Sequence, residues 1–424
     1  MPNLIFCKSN ICHFAQLQNA AHTIPKNQGE SPIIGVPIIN SVHMPSNNSY
    51  TDGPGADRLA SRDDFSRNVW CLMGLPIDAV TMDDAVRAVA TSVEDRQRLS
   101  LVTPNVNWLV SALANPEMRR MVIDADLSVA DGMPLVAMAK QLGMPITERV
   151  AGSDLFERLH DQPTPIRVFF FGGRDGAAEK AFETLRAAQN SALKAAGWLN
   201  PGFGDVATMS TPQIRKTIND SNPDFVVVAL GAQKGQAWID YNQSHLDPPI
   251  LSHLGAVVDF TAGSVERAPE WMANNGLEWA WRIKADPALW RRYGNDAKAL
   301  AGLGATRFAP QLPIAQWLAP KGSATSSTGI IVDELEDRTR ITLSGEITAA
   351  TIEMAIDPFR DAANTDCDVV LSLAHANRID QRFLGLCLML EKHKTRQGKE
   401  IFLDRPSAKI KSLFENNAMA YASV

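Results

Sequence analysis

Residues 166–187 read IRVFFFGGRDGAAEKAFETLRA, and this stretch carries the fold. An uninterrupted apolar run ends in Gly172 and Gly173, and a helical pattern starts directly after Gly176. A strand with no polar alternation must be covered on both faces, which is the signature of a parallel sheet flanked by helices. Working outward, the same grammar recurs: LSLVTP from Leu99, LSVAD from Leu127, DFVVVALG from Asp224 and AVVDF from Ala256 all read as buried strands. Between them lie helix-like stretches such as MDDAVRAVATSVEDR and GAAEKAFETLRAAQNSALKAA. Strands alternating with helices predict an α/β domain with a Rossmann-like, mainly parallel sheet over residues 69–308. Ligands in such sheets bind beyond the carboxyl ends of the strands.

The flanks read differently. Residues 1–68 are rich in Asn, Ser, Pro and Gly without a period of 2 or 3.6, and such a composition predicts a disordered extension. Residues 309–328 carry prolines and then KGSATSSTG, a linker composition. Residues 329–424 read as a second, small α/β unit. IIVDEL, RITLSGEI, DVVLSLA and EIFLD are its strands; ATIEMAIDPFRDAA, RFLGLCLMLEKHKTR and SAKIKSLFEN are its helices.

Bulk properties narrow the function. A formal net charge of -6 over 424 residues argues against nucleic-acid binding by the whole protein, which requires a concentrated basic surface. Five scattered cysteines make no disulfide framework and fit a reducing cytosol. Cys7, Cys12 and His13 read as coincidence rather than a metal clip, and no metal or cofactor is expected. No apolar run reaches the length that spans a bilayer, and no secretory leader is apparent. The expected location is cytoplasmic, with any membrane contact peripheral.

Four strings carry candidate chemistry. In LVTPNVNW, Thr103, Asn105 and Asn107 follow a strand end, where they either bind a sugar or phosphate or simply make a turn. In VADGMP, Asp131 is either a general base at the sheet edge or a helix cap. Gly172 and Gly173, and later Gly231, Gln233 and Lys234, open helices after strands, as a diphosphate cleft or a tight turn would. The fourth string, VVDFTAGSVERAPEWMANNGLEWAWRIKADPALWRRYG, crowds Trp271, Trp279, Trp281 and Trp290 among Arg267, Arg282, Lys284, Arg291 and Arg292. That mixture suits a membrane interface or a pyrophosphate clamp.

Taken in order, GLPIDAVTMDDAV, TPNVNW, ADGMPLV, ERVAGSDL, FFFGG, VVVALGAQKGQAW, VVDFTAGSVERAPEWM and GLEWAWRIKADPALWRRY resemble the WecG/TagA/CpsF glycosyltransferases (family 26). The resemblance implies a UDP-sugar donor, commonly of the N-acetylmannosamine type, and an undecaprenyl-diphosphate-linked saccharide acceptor for teichoic acid, capsule or exopolysaccharide. It also implies inversion by one direct displacement without a metal, at the inner membrane surface. By the same resemblance Asp131 is the general base, with Thr103 and Asn105 beside it. The resemblance also places Arg149 among the substrate-binding residues and gives Arg282 and Arg292 the diphosphate and membrane; Gly172, Gly173, Gly231, Gln233, Lys234, Asp259 and Arg267 are further substrate-binding candidates, and Arg291 a further one for the diphosphate and membrane. Where that family carries Pro-Lys-Gln-Glu, this chain has Gln233-Lys234-Gly235-Gln236. Near Leu289 one family arginine is replaced, with Arg291 close by.

Residues 329–424 resemble a STAS domain, the sulfate-transporter and anti-sigma-factor-antagonist type. Asp380 is kept, but Gln381 and Arg382 stand at the serine positions of its phosphoswitch, which implies a docking module that is always on and binds a protein partner. The alternative function is an inactive scaffold that recruits polysaccharide-assembly enzymes through this unit.

Overall fold

In the computed structural model of the chain, the described residues are 62–269, 272, 277–285, 287, 289–312 and 328–424. Cys7, Cys12, His13, Trp271 and most of the two segments read as extension and linker lie outside them.

The first strands among the described residues form a hairpin, β1 (Val69–Leu72) and β2 (Leu75–Asp78), closed by Met73 and Gly74, both at positive φ. A two-residue turn of this kind matches strand twist. Six strands then form a fully parallel sheet: β3 (Leu99–Val102), β4 (Leu127–Ser128), β5 (Ile166–Gly172), β6 (Leu193–Leu199), β7 (Phe225–Ala229) and β8 (Ile250–His253), in the order β4-β3-β8-β7-β5-β6. The apolar run on β5 is buried on both sides, as its composition requires. Val168 and Phe170 join one layer with the 82–94, 152–158 and 177–187 helices. Phe169 and Phe171 face the other, against Ile218 and Trp238, where Trp238 stacks on Phe171 at 4.2 Å. The Rossmann-like α/β class read from the sequence is the class observed.

Two assignments differ from that reading. AVVDF lies in the Gly255–Thr261 helix rather than a strand; so short and mostly apolar a run fits either state, and Val257 and Val258 pack as one helical face. ALKAA does not continue a helix but enters β6, while β8 was not foreseen. The chain leaves the neighbouring strands β3 and β8 toward opposite faces. Trp108 and Leu109 of the 106–114 helix join one layer, and Val257 and Val258 after β8 join the other. A crevice opens at such a switch point.

The second sheet contains β9 (Gly329–Glu334), β10 (Arg338–Ile347), β11 (Asp368–Ile379), β12 (Ile401–Asp404) and β13 (Ala422–Ser423), in the order β13-β12-β11-β10-β9. Only β9 runs antiparallel to its neighbour. Asp380 caps the Gln381–Arg396 helix by accepting from the Arg382 and Phe383 amides at 3.0 and 3.1 Å, and also accepts from Ala349 N at 2.8 Å.

This helix is covered by the first part of the chain. Phe65, Val69, Cys71 and Ile123 belong to the same apolar core as Ile341, Leu371, Phe383 and Leu388. Arg382 donates to the Val69 and Arg67 carbonyls, each at 3.1 Å. A Cβ on Gly385 would lie 2.1 Å from the Val69 carbonyl oxygen, so only glycine allows this approach. Residues 62–68, read as part of a disordered extension, are therefore placed: Asp64–Ser66 form one helical turn whose Phe65 is buried in that core. At the other end, Gln311, within the segment read as a linker, is buried and accepts from Asn417 and Gln381. Gln381 and Arg382, the residues at the serine positions of the resembled phosphoswitch, are buried against the chain's own residues.

Candidate active site

The carboxyl ends of β3, β5, β7 and β8 border one cleft of about 690 Å³. Thr103, Asn105, Asp131, Gly173, Gly231, Lys234, Asp259, Arg282 and Arg292 line it, so sequence positions up to 189 residues apart (292 − 103) meet there. The backbone joins the first two strings directly: Asp131 N donates to the Pro104 carbonyl at 2.8 Å. Asn105 caps the Val106–Ala114 helix through its side-chain oxygen, 3.3 Å from Trp108 N. The cap leaves the Asn105 amide NH₂ available to the cleft. Asn107 instead donates to Asp296 at 3.2 Å, tying the first string to the Leu289–Leu303 helix.

Asp131 has the electrostatics of a base. Desolvation in the cleft pushes its carboxyl up to about 7; Arg149 and Arg282 oppose this, while Glu278 and Asp154 reinforce it. A carboxylate that holds its proton to neutral pH is matched to proton transfer there. Arg149 does not line the cleft. Its guanidinium donates to Glu278 at 2.7 Å and to Asp154, and stands 4.0 Å from Asp131. These contacts make it part of the charge environment around Asp131.

Several other expected residues are placed elsewhere. Arg267 is held by Asp154, Glu157 and the Ser153 carbonyl and lies over Phe260. Gln233 is exposed, and neither it nor Arg291 is among the cleft residues. Gly172 lies just behind the cleft, where a Cβ would press on the Ala229 carbonyl at 2.8 Å. The position serves strand packing.

The cleft also contains residues that the motifs did not single out: Arg174, Asp175, Phe203 and His253. Phe203 is 99% exposed on the rim; its flanking glycines in PGFG were the available signal. Asp259 Oδ1 and His253 Nε2 are buried without a hydrogen-bond partner among the described residues. Helices begin around the cleft at Asn105, Gly132, Gly176 and Gly231, and their unpaired N–H groups favour an anion. Among the described residues no group of three or more His, Cys, Asp or Glu side chains is placed to hold a metal. No helix among them is long and apolar enough to cross a membrane.

The doubly wound sheet opens a crevice at its switch point, bordered by helix N-termini and by Asp131, the arrangement in which such folds bind a ligand. Residues 70–310 match the glycosyl transferase WecG/TagA/CpsF family, and the chain belongs to that family of glycosyltransferases. Two relatives are named N-acetylglucosaminyldiphosphoundecaprenol N-acetyl-beta-D-mannosaminyltransferase. The one from Bacillus spizizenii (strain ATCC 23059 / NRRL B-14472 / W23) is 30% identical over 48% of this chain and 77% of its own. That from Bacillus subtilis (strain 168) is 28% identical over 46% and 73%. The solved anti-sigma factor antagonist SpoIIAA, in its unphosphorylated form, is similar over 23% of this chain and 87% of its own. That likeness has 14% identity and a TM-score of 0.21, and it carries no weight for function.

Proposed function

We propose that this protein transfers a sugar from a UDP-sugar, of the N-acetylmannosamine or a related type, to a saccharide carried on a polyprenyl diphosphate. The observation that carries this reading is the placement of Asp131 in one cleft with Thr103, Lys234, Arg282 and Arg292, where desolvation pushes its carboxyl up to about 7. Asp131 takes the proton from the acceptor hydroxyl as that oxygen bonds to the anomeric carbon. The bond from that carbon to the diphosphate breaks, and UDP leaves from the opposite face. One displacement inverts the anomeric centre. Helix N-termini with Arg282, Arg292 and Lys234 meet the charge growing on the diphosphate, the role that metal ions fill in other transferases. Thr103 and Asn105 border the same space and orient a sugar.

Incubation with a panel of UDP-sugars and a short-chain polyprenyl-diphosphate N-acetylglucosamine tests the reaction. UDP release with one donor, dependent on the acceptor, is the expected result; no transfer with any pair counts against it. In this reading Phe203, exposed on the rim, stacks on the uracil ring. Because base–aromatic stacking contributes about 1–3 kcal/mol, Phe203→Ala is expected to weaken UDP binding about tenfold in calorimetry. Equal affinity for UDP would remove the ring from the donor site.

The acceptor's lipid requires a membrane surface. Trp279 and Trp290 are 49% and 60% exposed on the two helices that also carry Arg282, Arg291 and Arg292. Indole rings beside guanidinium groups suit the headgroup layer. Replacing both tryptophans by Ala is expected to cut co-sedimentation with anionic vesicles several-fold while UDP affinity is kept. Undiminished sedimentation would place the membrane contact elsewhere.

A further inference from the structure

We infer that His253 selects the donor: its Nε2 hydrogen-bonds a hydroxyl or amide group of the transferred sugar, on the donor-site reading given above. His253 ends β8 and borders the cleft. Its ring fills the slot left by a missing side chain, because a Cβ on Gly235 would lie 2.2 Å from its Cδ2 and 2.9 Å from its Cγ. On the other side, a Cβ on Gly255 would lie 3.5 Å from Nε2. Both glycines sit in the opening turn of a helix, after β7 and β8 respectively. The imidazole is thus packed between the backbones of Gly235 and Gly255, the latter bordering the cleft.

Nε2 is buried and has no partner among the described residues. A buried polar atom without a partner is unfavourable, and a ligand group that supplies one is favoured over a ligand that does not. Burial pushes the ring down to about 4, so it is neutral at pH 7 and unsuited to holding a diphosphate. The cleft's cationic groups, Arg282, Arg292 and Lys234, suit that part of the donor. A neutral ring nitrogen suits the uncharged hydroxyl and amide groups by which UDP-sugars differ.

The test is calorimetric binding of UDP and of a UDP-sugar panel to the full chain as wild type, His253→Leu and His253→Gln, with thermal melting of each. The wild type is expected to bind one UDP-sugar more tightly than UDP. His253→Leu is expected to weaken that UDP-sugar about tenfold and UDP less than twofold, with His253→Gln recovering part of the loss. A Leu variant that weakens UDP and UDP-sugar equally, or neither, overturns the inference and leaves the donor site standing. So does a wild type that binds every UDP-sugar no better than UDP. Folded wild type that binds neither UDP nor any UDP-sugar overturns the inference together with the donor reading.

Discussion

Asp131→Asn is expected to lower turnover about 10²- to 10⁴-fold, the range that general-base assistance supplies, with donor affinity nearly unchanged. The amide keeps the shape of the side chain and its place beside Pro104 but accepts no proton. The pH dependence is specific. The wild-type rate is expected to rise with pH and level off near 7, where desolvation has moved the carboxyl. Below that value the base is protonated and the rate falls about tenfold per pH interval of one. Stability moves the opposite way. Between about pH 4 and 7 the folded protein holds a proton that the unfolded chain releases, so wild-type stability drops as pH rises through that window. The Asp131→Asn variant has no such proton, and is expected to melt above wild type at pH 8 and alongside it at pH 4. A variant that keeps its turnover, or a rate that is flat from pH 5 to 8, would remove Asp131 from the chemistry.

How much of this was legible depended on whether one residue's surroundings could be read from its neighbours in sequence. The continuous apolar runs of β5 and β7 announce themselves because both faces of the sheet are covered. Asp131 and Thr103 were findable because they stand at strand ends, where the fold puts its ligand edge. By contrast β8 is only four residues long and no motif marks His253, whose contact with Gly235 is a property of the tertiary structure. Arg149 was a sound candidate by type, but Glu278, 129 positions away, takes its guanidinium. The Gln381–Arg396 helix was legible as a helix and not as an interface. Its sequence gives no hint that Lys392 and Lys394 are buried, since lysines on a helix are normally solvated.

That interface leads to a large stability effect. Lys392 is 1% exposed and reaches across to Asp64 at 2.9 Å and Asp126 at 3.3 Å. Asp64 is also held by Arg67 at 2.7 Å and by His393 at 3.0 Å, while Arg67 pairs with Asp78 at 2.8 Å. Desolvation opposes ionisation of Asp64, but His393, Lys392 and Arg67 overcome it and hold the carboxyl far below its ordinary range. Such a cluster contributes little net stability while intact, yet removing one partner leaves buried charge uncompensated, at about 3–5 kcal/mol. Lys392→Met keeps the length of the side chain and removes the charge, so it is expected to lower stability by about that amount in urea unfolding. Because Phe65, Val69 and Cys71 share one core with Phe383 and Leu388, the loss is expected in a single transition that takes the 69–308 and 329–424 segments together. The sign with pH follows from Asp64. Its depressed carboxyl contributes stability that is present above about pH 4 and lost as the pH falls further, so acid unfolding of the wild type draws on this cluster. Two separate transitions, with the glycosyltransferase segment unmoved by Lys392→Met, would mean that the second sheet is an appendage. A shared transition makes it part of the framework that holds the hairpin and, through β2 and Asp78 to Ser128 N at 2.7 Å, the strand that ends three residues before Asp131.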